Sequence, residues 1–588
     1  MLKRLTAALL AGIMLFSLCT CAAFAETGEG GQARPEHSVE RREFTLYLSE
    51  PSDAIAASVP LYFADGVGDL PYMEIDDFVS LMCALYRDED PETIYDIELY
   101  KHYPVVSMTR ENGFIATLDF EEDFLSFMDL AGFLRKPGAS TLLDVISIAG
   151  YDSEKKPLLF LRDQEASFDR YGEVKKIDLA AYGINLISVE EQYYIPLQTL
   201  NDIFFCTAVG GGLLYNGEAV FLASGGNLYD PEVGGLSPLG ERYYSVPTGQ
   251  RSDELAEYSY NELCLALDLL YGLKEPHGIS SFRQLFWEIG FDEALSGRDP
   301  LDADQALRQF ITYYLDDLHS GFAAFSPLAG VQAVEQIAGM ASRKIDENIG
   351  RYMSTRYEVT DGALPGYEEV GNTAYITFDS FTVLSENPRE YYNWHEAGSV
   401  PEDTLGLVTY AHEQITREDS PIENVVLDLS CNTGGVADAA VFVLCWLLGE
   451  AQISIKDMTA GDLSTTVYRA DINLDGVFDD KDSVSDRNIY CLISPVSFSC
   501  GNLVPAALKS SQKATLLGRT SGGGSCVVQV LSTAHGSIFQ ISGRRRLSFL
   551  KNGSFYDIDQ GVDPDYYIDD ISHYYDRAAL TDFINGLY

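Results

Sequence analysis

The first hydrophobic block runs from Leu5 to Leu18, behind Lys3 and Arg4 and ahead of Ala23-Phe24-Ala25. A basic start, an apolar run too short to span a bilayer, and small residues where a signal peptidase reads make residues 1–25 a signal peptide. Residues 26–42 are rich in Gly, Glu and Arg and read as a disordered leader. From 43 to 245 short strand-like and helix-like patterns mix, which predicts an α+β domain. Two of its segments look alike, LPYMEIDDFVSLM at 70–82 and YYIPLQTLNDIFF at 193–205. Each is an aromatic-containing strand followed by a short amphipathic helix. Residues 250–325 carry apolar positions at three- and four-residue intervals, in DELAEYSYNELCLALDLLYGL and ADQALRQFITYYLDDL, and predict a helical cap. From about 370 the texture changes: β-branched runs such as NTAYITFDSF, NVVLDL, NIYCLIS and ATLLG alternate with amphipathic helices. That is an α/β pattern, assigned to a domain over 326–588.

Composition narrows the functions open to the chain. Apolar residues are 46% of its 588, enough for sizeable cores. The formal net charge of -49 argues against nucleic acid, which needs Lys and Arg to replace phosphate counterions, and against an anionic membrane surface. Cys19 and Cys21 fall inside the signal, and neither follows the small residue a lipoprotein signal wants. The expectation is therefore release to the cell envelope or outside, with no stable membrane insertion after cleavage. The other eight cysteines are scattered, with no C-x-x-C pair, so they read as packing residues rather than metal ligands.

One insertion follows the calcium-loop template. In 471–482, Asp471, Asn473, Asp475, Asp479 and Asp482 fall at positions 1, 3, 5, 9 and 12. Gly476 sits at the sharp turn, and Val477 offers its carbonyl at position 7. The spacing predicts a structural Ca2+ site, with Asp at position 12 in place of the usual Glu.

Three segments carry a family resemblance. VVLDLSCNTGG at 425–435 resembles the DLRxNxGG strand-turn of the C-terminal processing (tail-specific) serine peptidases. LISPVSFSCGNLVPAALK at 492–509 resembles their nucleophile strand-turn-helix. LLGRTSGGGS at 516–525 with QGVDPDYYI at 560–568 resembles their closing segments. The paired segments at 70–82 and 193–205 resemble the half-units of the small N-terminal domain of copper amine oxidases, which implies a binding or spacing module. The peptidase resemblance implies a crotonase/ClpP-like catalytic domain, a protein or peptide substrate, and Ser499 as nucleophile. The Lys of the family's Ser-Lys members is missing from Thr520-Ser521-Gly522-Gly523-Gly524. The tricorn-like branch instead takes a His from the helical domain. Asp317-Leu318-His319 matches that context, so His319 is the expected base. The same branch implies an acid just before G-V-x-P-D: Asp559, with Asp557 as its competitor. The expected oxyanion donors are the N–H of Cys500 and one from Gly434-Gly435. No catalytic cofactor is implied. Two other functions fit the sequence less closely, a catalytically inactive peptidase-fold binding protein and a cell-surface adhesion module.

Overall fold

The computed structural model describes residues 38–48, 55–89, 96–134, 159–162, 167–170, 172–206, 212–230, 234–332, 337–362, 364–385, 387–399 and 401–587. The signal peptide and most of the leader lie outside the described residues. The strand Val39–Leu48 begins inside the stretch read as leader. It pairs antiparallel with Ile55–Ala64, from Val39 opposite Ala64 to Tyr47 opposite Ile55. The pairing orders a segment whose polar composition alone reads as disordered.

The two similar N-terminal segments meet. Tyr72–Glu74 pairs antiparallel with Gln192–Pro196, with Ile195 opposite Met73. Their helices, Ile75–Glu89 and Leu197–Leu200, follow the two strands. Phe78 and Phe204 bring the two units together with ring centroids 4.9 Å apart. This region is not separate from the rest. Strands Phe160–Arg162 and Ser167–Arg170 pair with Leu463–Ala470, and so join a sheet of the C-terminal half.

The cap is built on helix α1 (Asp253–Leu270), started by the Ser252 side chain accepting from the Leu255 N–H, and α2 (Pro300–Phe310), started by Asp299. After α2 the chain makes a wider helical turn and stops at Asp316, in a left-handed conformation. The strand Gly321–Ala324 then leaves the cap and pairs with the long strand Ile538–Lys551, so the predicted helical stretch ends before residue 321. A third helix, α3 (Met340–Thr360), lies between cap and core and buries only Tyr352 fully.

The α/β core is a six-stranded sheet: β1 (Tyr367–Val370), β2 (Thr373–Thr377), β3 (Asn424–Asp428), β4 (Asn488–Ile493), β5 (Ala514–Gly518) and β6 (Tyr566–Tyr567), in that spatial order. β2 to β6 run parallel, with Asp428 level with Leu492 and Ile493 level with Gly518. Parallel strands are covered on both faces, which is why NVVLD and NIYCLI are near-continuous apolar runs. Helices α4 (Ala437–Leu448) and α5 (Cys500–Ser511) pack beside this sheet. In such a sheet, loops after the carboxyl ends of adjacent strands converge on a ligand crevice. Here those loops are 429–435 after β3, 494–499 after β4 and 519–525 after β5.

A buried polar hub fixes the cap to the core. His535, in the turn between Cys526–Ser532 and Ile538–Lys551, meets Ser259 of α1 at 2.8 Å through Nδ1. Its Nε2 meets Asp304 of α2 at 2.9 Å. Ser259, Asp304 and His535 are all buried, so this arrangement is structural. A second hub joins the N-terminal region to the cap. Asp202 and Glu262 are both buried, and each keeps one carboxylate oxygen without a hydrogen-bond partner.

Candidate active site

Ser499 stands at the junction of the loop after β4 with α5. Its backbone is in an unfavourable region, φ 57° and ψ −122°, and its side chain does not cap the helix. Strain of this kind persists only where neighbours enforce it. They do so here: the Phe498 N–H donates to Asn432 O at 3.1 Å and the Ser499 N–H donates to Gly523 O at 2.9 Å. The hydroxyl is thereby turned into an open pocket of about 390 Å³, which it shares with His319, Thr433 and Gly435. Ser497, two residues earlier, is buried and donates to Leu429 O at 2.8 Å, a structural role.

His319 reaches the pocket from the cap loop 316–320. Asp316 and Leu318 both take positive φ, 40° and 68°. Asp317 organises the loop, its Oδ1 accepting the N–H of His319 at 3.2 Å and of Ser320 at 2.7 Å. The Tyr271 hydroxyl donates to its Oδ2 at 2.9 Å. The imidazole packs against the ring of Phe498, centroid to centroid 4.7 Å, one residue from Ser499. Burial holds its pKa below the ordinary 6.5, opposed by the charges of Asp317 and Asp559. A neutral imidazole at neutral pH is the form that accepts a proton.

The acid is less direct than the sequence implies. Neither Asp557 nor Asp559 hydrogen-bonds the imidazole. Asp557 pairs with the buried Arg546. Asp559 accepts from the Ser525 N–H at 3.1 Å and the Ser525 hydroxyl at 3.2 Å. Of the two, only Asp559 contributes to the field at His319.

The glycine turn after β3 is shaped by Asn432, whose Oδ1 accepts the Gly434 N–H at 2.9 Å and whose Nδ2 donates to Phe378 O at 3.1 Å. The Gly434 N–H is thus taken, which leaves that of Gly435 as the candidate oxyanion donor of this turn. The N–H groups of Gly435 and Cys500 have no partner among the described residues. Both flank Ser499, and Cys500 opens α5, where the helix N-terminus favours negative charge. Gly434 matters for space: at φ 109°, a Cβ on it would lie 2.6 Å from Ser499 Cβ and 3.1 Å from its Oγ.

Asn502 stands where the family resemblance expects Glu, a departure visible in the sequence, but its partners come only from the structure. It donates to Ile558 O at 2.9 Å and accepts from the Ser521 hydroxyl at 2.7 Å, tying α5 to the loop that carries Asp559.

In the 471–482 loop, Leu474 and Gly476 take positive φ. Its carboxylates serve the loop's own amides. Asp471 accepts from Asp475 N–H at 3.1 Å and Gly476 N–H at 2.7 Å. Asp475 accepts from Val477 N–H, Asp479 from Lys481 N–H, and Asp482 from Ile472, Asn473 and Asp479 N–H. Among the described residues, no three His, Cys, Asp or Glu side chains group to hold a metal ion. The eight cysteines outside the signal segment are buried, and none forms a disulfide among the described residues. No helix among the described residues is long and apolar enough to cross a membrane.

The model of peptidase family S41 matches residues 372–568. The match is confined to this stretch. The matched stretch takes in Gly434, Gly435, Ser499, Cys500 and Asp559 and leaves His319 outside, on the cap. A Chlamydia pneumoniae protein is 33% identical over 102 residues, 17% of this chain and 16% of that one. Among solved structures, the photosystem II D1 C-terminal processing protease shares 19% identity over 35% of this chain and 47% of its own, with a TM-score of 0.25. A lipoprotein from Streptococcus agalactiae shares 14% over 56% and 96%, with a TM-score of 0.35. Mature CPAF complexed with lactacystin shares 10% over 57% and 97%, also at 0.35. The chain thus spans 16% of the Chlamydia protein and 47% of the D1 processing protease, but 96% and 97% of the other two.

Proposed function

We propose that this chain is an exported serine endopeptidase that cleaves proteins or peptides through an acyl-enzyme on Ser499. The observation that carries the reading is the pairing, in one pocket, of a strained serine with a free hydroxyl and a neutral, buried histidine. His319 takes the hydroxyl proton as Ser499 attacks the scissile carbonyl. The N–H groups of Gly435 and Cys500 receive the oxyanion. The protonated imidazole then passes its proton to the leaving amine, and water repeats the sequence to release the acyl group. Asp559 stabilises the imidazolium through its field, held in place by Ser525 and, through the 558–562 loop, by Asn502. The core would be the crotonase/ClpP-like form of this family, reached by export through residues 1–25. The 471–482 loop would bind structural Ca2+ once its carboxylates turn from their amides to the ion. Hydrolysis of an unfolded protein by the purified chain tests the reading. Wild type should cleave it and Ser499→Ala should not; equal cleavage by both would refute it.

A further inference from the structure

One wall of the pocket does no chemistry. Helix α3 is polar over most of its length, yet Ile345, Ile349, Tyr352 and Arg356 fall on one stripe at helical spacing. Three contacts fix that stripe. At the start, Asp316 of the base-bearing loop accepts the Ala341 N–H at 2.8 Å. In the middle, the Tyr352 ring meets Tyr574 edge-on at 5.4 Å. Near the end, Arg356 grips Asp379 through two hydrogen bonds, 2.8 and 2.5 Å. Between the first and second contacts, Ile345 and Ile349 line the pocket of Ser499 and His319.

Both isoleucines are only half-buried in the free chain. Leu318, Phe498 and Val528 complete the apolar lining, and no Lys, Arg, Asp or Glu side chain lines the pocket. Val528 is 41% exposed. Apolar surface left partly open around a nucleophile, on a helix held at three points, is a built recess rather than a stray patch. At about 390 Å³ it has room for one large side chain beside the reacting carbonyl. A charged side chain there would lose its water and find no partner.

We infer that α3 forms the primary specificity wall of the enzyme, and that the substrates are chains with a large apolar residue, aliphatic or aromatic, flanking the scissile bond. This rests on the serine peptidase reading above. A buried methylene in such a pocket changes kcat/KM by about 10- to 200-fold, so discrimination between leucine and a charged residue should exceed about 100-fold.

The test is a digest of a mixed peptide library read by mass spectrometry, on wild type, Ile349→Asp and Ile345→Asp. Labelling of Ser499 by a small fluorophosphonate is measured on each. Wild type should cut beside Leu, Ile, Met or Phe. Each Asp variant should lose that preference about 100-fold and gain cleavage beside Lys or Arg, while still labelling. A second measurement needs no variant: peptide aldehydes ending in Leu should inhibit wild type at least about 100-fold better than those ending in Asp or Lys. Labelling with a flat cleavage profile and no discrimination among aldehydes overturns the specificity wall alone. A wild type that neither labels nor cleaves overturns the peptidase reading, and this inference with it.

Discussion

Replacing Gly434 with alanine would put a methyl group 2.6 Å from Ser499 Cβ and 3.1 Å from its hydroxyl oxygen. Carbon atoms in contact settle at about 3.5–4.0 Å, so the Ser499 side chain must retreat by about 1 Å. A displacement of that size at a reacting atom costs about 100-fold in rate, equivalent to about 2.7 kcal/mol of barrier. Alanine also resists the positive φ of 109° at this position, at about 1–3 kcal/mol of stability. Gly217→Ala separates the two effects, since Gly217 has φ 97° and open space around its missing Cβ. The assay is kcat/KM on a fluorogenic peptide, with a circular dichroism melt of each variant. Both variants should melt lower than wild type, and only Gly434→Ala should lose about 100-fold or more in kcat/KM. A folded Gly434→Ala chain with wild-type kcat/KM would refute the placement of this turn against Ser499.

Other outcomes follow from the charges. Burial lowers the His319 pKa from the ordinary 6.5, so kcat/KM should hold through neutrality and fall only on the acid side of that ordinary value, where the base becomes protonated; a fall that begins above about pH 7 would exclude this histidine. Asp559→Asn should lower kcat and move that acid limb to lower pH, because the field it loses favours the imidazolium, whereas Asp557→Asn, which loosens Arg546 but keeps an amide oxygen to accept the Asp559 N–H, should move the limb less. Burial raises the carboxyl pKa of Glu262 to about 7 and that of Asp202 above its ordinary value. A raised folded-state pKa gives stability that is present at low pH and lost as the pH rises through it, so urea stability should decline between about pH 5 and 8, by up to about 3 kcal/mol. Glu262→Gln should flatten that decline, and parallel curves for variant and wild type would contradict the pair. Calcium added to chelator-treated protein should raise the melting temperature, with Asp471→Ala abolishing the rise; an unchanged melt removes the ion from the account.

Much of the core was legible because its signals are local. Parallel strands announce themselves as continuous apolar runs, and a serine between such a run and an amphipathic helix marks the loop after β4. The turn at Asn432-Thr433-Gly434-Gly435 was legible as a motif, but the division of labour inside it was not. Only coordinates show that the Asn432 side chain consumes the Gly434 N–H and leaves that of Gly435 free. Long-range pairings left no trace in the sequence: nothing near residues 160–170 signals that they complete a sheet with 463–470. His535 lies in a turn, but its contacts to Ser259 and Asp304 come from segments far away in the chain. The stripe on α3 was present as Ile345 and Ile349 in a polar helix, a pattern too sparse to separate from ordinary packing without the pocket beside it.

The central claim is that Ser499 is a nucleophile activated by His319. Intact-protein mass spectrometry after treatment with a fluorophosphonate, followed by peptide mapping, tests it most directly. The account predicts one adduct per chain, on Ser499, and its loss in a folded His319→Ala variant. No adduct on the wild type, or an adduct on another residue with Ser499 unmodified, would contradict it.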